Sequence, residues 1–119
     1  MLVKKFDEQK EIVAGDNCVL RELLSGLRDE VECRHSIAYA KVPVGQTTWK
    51  HALKTTEIYY IVAGKGTMYI GEEIEEVGPR DTIYIPPNAV QCIENIGDTE
   101  LEFLAIVDPA WRAEDEVII

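Results

Sequence analysis

The chain has 119 residues, of which 12 are basic and 22 acidic, giving a formal net charge of −10. A chain of this length buries roughly two-thirds of its unfolded surface, enough for one core and a single domain over 1–119. A hydrophobic fraction of 46% with two Trp, five Tyr and two Phe excludes a disordered chain. The acidic balance excludes nucleic acid and an anionic membrane surface as partners, because both demand a basic face.

At the N-terminus, Lys4 and Lys5 are followed by Phe6-Asp7-Glu8 and no apolar run, so no signal peptide is expected. No stretch approaches the length of a membrane span. Residues 1–15 are expected to hold a turn. Cys18, Cys33 and Cys92 are odd in number and widely spaced, with no CxxC, which fits free thiols in a reducing cytoplasm better than a disulfide framework or a thiolate zinc site. His35, in the charged stretch Glu32-Cys33-Arg34-His35, reads as a surface residue.

From residue 36 onward the pattern is of short β-rich runs: Ser36 to Val42, Glu57 to Val62, Thr67 to Ile70, Thr82 to Ile85, Val90 to Glu94 and Leu101 to Val107. Gly64-Lys65-Gly66, Gly71-Glu72 and Asn95-Ile96-Gly97-Asp98 punctuate them as turns. The run Glu72-Glu73-Ile74-Glu75-Glu76 fits a solvated hairpin edge that discourages edge pairing. Glu57-Ile58-Tyr59-Tyr60-Ile61-Val62 lacks strict polar alternation, as a strand covered on both faces would. Six or more such strands predict an all-β antiparallel barrel or jelly roll. The tail Ala113 to Glu116 has room for one turn.

Within this series stand two spaced motifs. The first is Gly45, five residues, His51-Ala52-Leu53, three residues, Glu57, six residues, Gly64. The second is Arg80, five residues, Pro86-Pro87-Asn88-Ala89-Val90-Gln91, three residues, Asn95. Together, over 45–64 and 80–95, they resemble the two motifs of the cupin family, small jelly-roll barrels. Against that family's pattern Leu53 stands for the second His of motif 1. In motif 2, Arg80 and Asn88 stand for Gly and Gln91 for His. Asn tolerates the left-handed conformation a Gly position implies better than most residues.

The resemblance implies a site built from His51, Glu57 and Gln91 as ligands of a divalent ion (Mn, Fe, Ni or Zn), with open positions for a small-molecule ligand or substrate. It also implies a homodimer. Parity agrees with a common site, since His51, Leu53 and Glu57 share one face if the strand register continues through the intervening turn. A carboxylate entering an apolar interior needs compensation, by a metal, protonated His51 or Lys54, and in a metal-free pocket Gln91 would instead hydrogen-bond Glu57. Tyr59, Met68 and Ile70 have interior parity and read as core, with a sharper alternative in which the Tyr59 hydroxyl sits at the pocket mouth beside Glu57. Lys50 and Lys54 flank His51 within a locally basic stretch, which would steer an anionic ligand if it were not simply a solvated loop.

Three functions follow as expectations. The first is a metal-dependent enzyme, an isomerase, cyclase or oxidase acting on a small polar or anionic molecule, with Glu57 doubling as a base. The second is a non-catalytic module that binds a small ligand. The third is a metal-free isomerase or epimerase with His51 and Glu57 as the catalytic proton-transfer pair.

Overall fold

Burial alternates without interruption from His51 to Ile61. His51, Leu53, Thr55, Glu57, Tyr59 and Ile61 all face inward, although the chain changes sheets midway. The computed structural model describes residues 1–119 and contains eleven strands. These are β1 (Glu11–Val13), β2 (Val19–Ser25), β3 (Ser36–Val42), β4 (His51–Leu53), β5 (Thr56–Ala63), β6 (Gly66–Ile70), β7 (Glu73–Val77), β8 (Thr82–Ile85), β9 (Gln91–Asn95), β10 (Leu101–Asp108) and β11 (Glu116–Ile118). Single 3₁₀ turns occupy Phe6–Glu8 and Ala113–Asp115, where the two terminal turns were expected.

All strand pairs are antiparallel, in a six-stranded sheet ordered β1-β2-β3-β10-β5-β8 and a five-stranded sheet ordered β11-β4-β9-β6-β7. The all-β jelly roll is therefore present, and the six anticipated runs are strands β3, β5, β6, β8, β9 and β10, displaced by a residue or two at most. The acidic run around Ile74 is the edge strand β7, exposed along all but its last residue. Strands β1, β2, β4 and β11 have no counterpart among the expected runs. Three of them are three residues long, too short to display a period. Strand β2 is half-buried almost throughout and carries Arg21 and Glu22 in its middle, which blurs its alternation.

The two sheets pack differently at their two ends. At one end Ile61, Ile85, Ile93, Leu101 and Phe103 are almost fully buried, and the rings of Tyr59 and Phe103 stack with centroids 4.3 Å apart. At the other end the inward positions of β3 and β10 are Ser36, Ala38, Ala40, Ala105 and Val107. Ala105 is the register partner of both Ala38 and Tyr59, and Phe103 of Ala40. Small side chains side by side on one wall leave unfilled space between the sheets, and the site lies there.

The motif positions that depart from the family pattern keep its backbone. Arg80 (φ 74°) and Asn88 (φ 66°) are both left-handed, as the glycines they replace would be. Gly64 and Gly45 are also at positive φ, but their surroundings differ. A Cβ on Gly64 would lie 2.6 Å from the Glu100 carbonyl oxygen and 2.9 Å from the Leu101 Cα, whereas one on Gly45 meets nothing within 4 Å. Gly45→Ala is therefore expected to cost about 1 kcal/mol, the conformational penalty alone. Gly64→Ala should cost about 2–4 kcal/mol, because β10 must also move. Urea denaturation of the two variants checks this; equal losses would mean that the close approach relaxes freely.

Candidate functional site

His51 opens β4 and is the register partner of Gln91, the first residue of β9. Its Nδ1–H donates to the Trp49 carbonyl at 2.8 Å, which fixes the ring and leaves Nε2 facing inward. Nε2 lies 3.7 Å from Asp16 Oδ2, longer than a hydrogen bond. Asp16 is itself anchored: its Oδ1 accepts from the Cys18 amide at 3.2 Å, and its carbonyl accepts from the Trp49 amide at 2.8 Å. The loop before β2 is thus tied directly to the strand that carries His51.

On the opposite sheet, Glu57 and Tyr59 project inward from β5 toward Gln91. The Tyr59 hydroxyl donates to Gln91 Oε1 at 3.1 Å, and Gln91 Nε2 donates to Glu57 Oε1 at 2.9 Å. This chain of three side chains is wholly buried. Glu57 therefore meets a neutral amide. It makes no ion pair or hydrogen bond with His51 or Lys54, two of the three cations expected to compensate it. Desolvation, reinforced by Asp16 and Glu116 and opposed by the Gln91 hydrogen bond, pushes its carboxyl up to about 8. Burial thus favours the uncharged acid form of this carboxyl.

His51, Glu57 and Tyr59 line one cavity of about 210 Å³ between the sheets, together with Asp16, Glu116 and Phe103. Gln91 stands behind Glu57 and Tyr59. Tyr59 satisfies both of its expected readings in part, packing against Phe103 as core while holding its hydroxyl inside the site, away from the mouth. Met68 is core and Ile70 half-buried. Lys50 and Lys54 are exposed and do not line the cavity. His35 is half-buried, its carbonyl accepting the Gly26 amide at 3.2 Å, and takes no part.

Sequence reasoning missed Asp16, Cys18, Trp111 and Glu116, which the two chain ends bring to the cavity. Only the Gly15-Asp16-Asn17 turn, with Asn17 at φ 71°, left a local trace. Burial raises the Glu116 carboxyl, against the pull of His51, and raises the Cys18 thiol strongly, so that the thiol stays protonated and unreactive.

The family's metal positions fall on His51, Leu53, Glu57 and Gln91. Leu53 is buried on the shared inner face and offers no donor atom. Gln91 has its oxygen and its amide nitrogen both engaged within the buried chain. No three His, Cys, Asp or Glu side chains gather closely enough to hold a metal ion. The expected set His51, Glu57 and Gln91 is thus brought into one neighbourhood as a hydrogen-bonded group, and as donors these residues do not fit a divalent ion.

Comparison with known proteins agrees with this architecture. Residues 38–107 match the cupin domain family. An uncharacterized protein of Methanocaldococcus jannaschii is 40% identical over 117 residues, covering 97% of this chain and 92% of that one. The oxalate-binding protein of Thermotoga maritima is 29% identical over 97 residues, 71% of this chain and 80% of its own length. The structure of Pac13, a nucleoside dehydratase from Streptomyces, superposes with a TM-score of 0.81 over all of this chain and 91% of that one. At 20% identity this likeness shows the fold alone. With motif spacing, sheet order and family match in agreement, the chain belongs to the cupin family.

Proposed function

We propose that the protein acts on a small molecule inside the barrel by metal-free general acid–base chemistry, with Glu57 as the acid and His51 as the base. The observation that carries this reading is the buried Glu57 carboxyl, bonded only to a neutral amide and raised to about 8, across one enclosed cavity from an oriented imidazole. A carboxyl held as the acid across from an imidazole with a free ring nitrogen is what isomerisation, epimerisation or elimination needs. Tyr59 and Gln91 act as positioning residues that hold the Glu57 carboxyl. The cavity is somewhat larger than one known to enclose benzene and smaller than a typical drug-sized pocket, so the substrate is compact.

The reading is tested by incubating the protein in D₂O with small hydroxy, keto and amino compounds and following loss of C–H signals by NMR. Wild type should exchange or eliminate on at least one compound. Glu57→Gln and His51→Gln should each slow it by about 10²–10⁴-fold. No turnover by wild type across the panel would leave ligand binding without catalysis as the function.

The pH dependence of stability gives a test that needs no substrate. Glu57 is raised in the folded state, so its contribution is complete below its ordinary value near 4.5 and is lost as pH climbs to about 8. Wild type should lose several kcal/mol between those limits that Glu57→Gln keeps. Urea melts across that range check this, and parallel curves would mean that Glu57 titrates normally.

Metal removal is the third test. Wild type should melt at the same temperature with and without EDTA. Leu53→His, which returns an imidazole to the inner face, should gain a nickel- or zinc-dependent rise. Chelator-sensitive melting of wild type would defeat the metal-free reading.

A further inference from the structure

The cavity has an unusual balance of polar groups. No lysine or arginine lines it, while Asp16, Glu22, Glu57 and Glu116 all do, together with His51. Glu22 is committed to Arg28, whose guanidinium donates to both of its oxygens at 2.6 and 2.7 Å. Glu57 accepts from Gln91. Asp16 Oδ2 and His51 Nε2 remain. Both side chains are more than nine-tenths buried, they face one another at 3.7 Å, and neither atom has a hydrogen bond. Because Nδ1 carries the proton that binds Trp49, Nε2 of the neutral ring presents a lone pair. Glu116, half-buried and close enough to both to feel their charge, also lines the cavity, its carboxylate accepting a hydrogen bond from the Trp111 side chain.

Two unbonded acceptors facing one another, with a third carboxylate nearby, are the complement of an ammonium group, which has three N–H donors and no acceptor. The remaining walls, Ala38, Ala40, Ala105 and Phe103, suit a compact apolar body. A carboxylate or phosphate here would meet acceptors of its own sign and no cation. We infer that the cavity recognises a small primary amine, its ammonium held by Asp16, His51 and Glu116 and its apolar part against the alanine wall. The anionic class expected from Lys50 and Lys54 does not fit, because both lysines lie outside the cavity. The chain's net charge of −10 would draw cations toward it as well.

The inference shares its cavity with the proton-transfer reading and rests on that reading for nothing else. The test uses matched pairs of probes, benzylamine with benzoate and cyclohexylamine with cyclohexanecarboxylate, with benzyl alcohol as the neutral member. Binding is followed by calorimetry and by amide chemical-shift changes in the ¹⁵N-labelled protein at pH 7. The amines should bind at least about tenfold more tightly than their carboxylate partners, with benzyl alcohol between. Shifts should map to Gly15, Ser36, Ala105 and Trp111. Asp16→Asn and Glu116→Gln should each weaken amine binding about fivefold or more. Should either variant misfold, the charge preference and the shift map of wild type decide alone. Carboxylates binding as tightly as amines, shifts confined to another surface, or no amine binding below about 10 mM would each overturn the inference. Amine binding without any proton exchange would retire the proton-transfer reading and leave this one standing. Proton exchange on carboxylates with amines ignored would do the reverse.

Discussion

The carboxyl of Glu57 is buried among apolar side chains, and the inner architecture is arranged around that fact. An ionised carboxylate there would cost several kcal/mol against a total stability of about 5–15 kcal/mol for a domain of this kind. Burial favours the protonated form, and the one donor supplied is the neutral amide of Gln91, itself held by Tyr59. A charged partner would have dragged the group back to the ordinary carboxylate range and removed its capacity to give up a proton near neutrality. Gln91 and Leu53 stand where the family pattern has His, so neither position offers Glu57 an imidazole.

The barrel is legible in the sequence because its strands are punctuated and its motifs are regularly spaced. The parity of His51, Leu53 and Glu57 could be read directly, and the corner at Lys54 and Thr55 turns without breaking it. Asn88 announces its left-handed backbone by its residue type, while Arg80 adopts the same conformation with no such signal. What could not be read was partnership. A buried glutamate demands compensation, and sequence alone offers metal, imidazole, lysine or the amide of Gln91. Which of them meets it depends on side-chain placement across two sheets, and the structure brings Gln91 to Glu57.

The other half of the site was hidden for a topological reason. Asp16 arrives from a turn before β2, Trp111 and Glu116 from the segment that runs into β11, and both segments are sequence-distant from the motifs. Backbone bonds fix them in place: Asp16 to Trp49, Asp115 to Lys54 and Lys50 to Ile119. Each chain end is sewn to the short strand β4 or its flanks, so His51 is positioned by three stretches of chain at once. A three-residue strand would fray without those ties.

The alanines of β3 and β10 carry a separate consequence. They make no polar contact, yet they decide how much room lies between the sheets, while the acids and the imidazole decide what charge that room accepts. Size and charge discrimination thus reside on different strands. A single methyl group gained at Ala38 would retune which molecules fit without touching the charged groups, whereas one gained at Ala105, the register partner of Tyr59, would also press on the chain that holds Glu57.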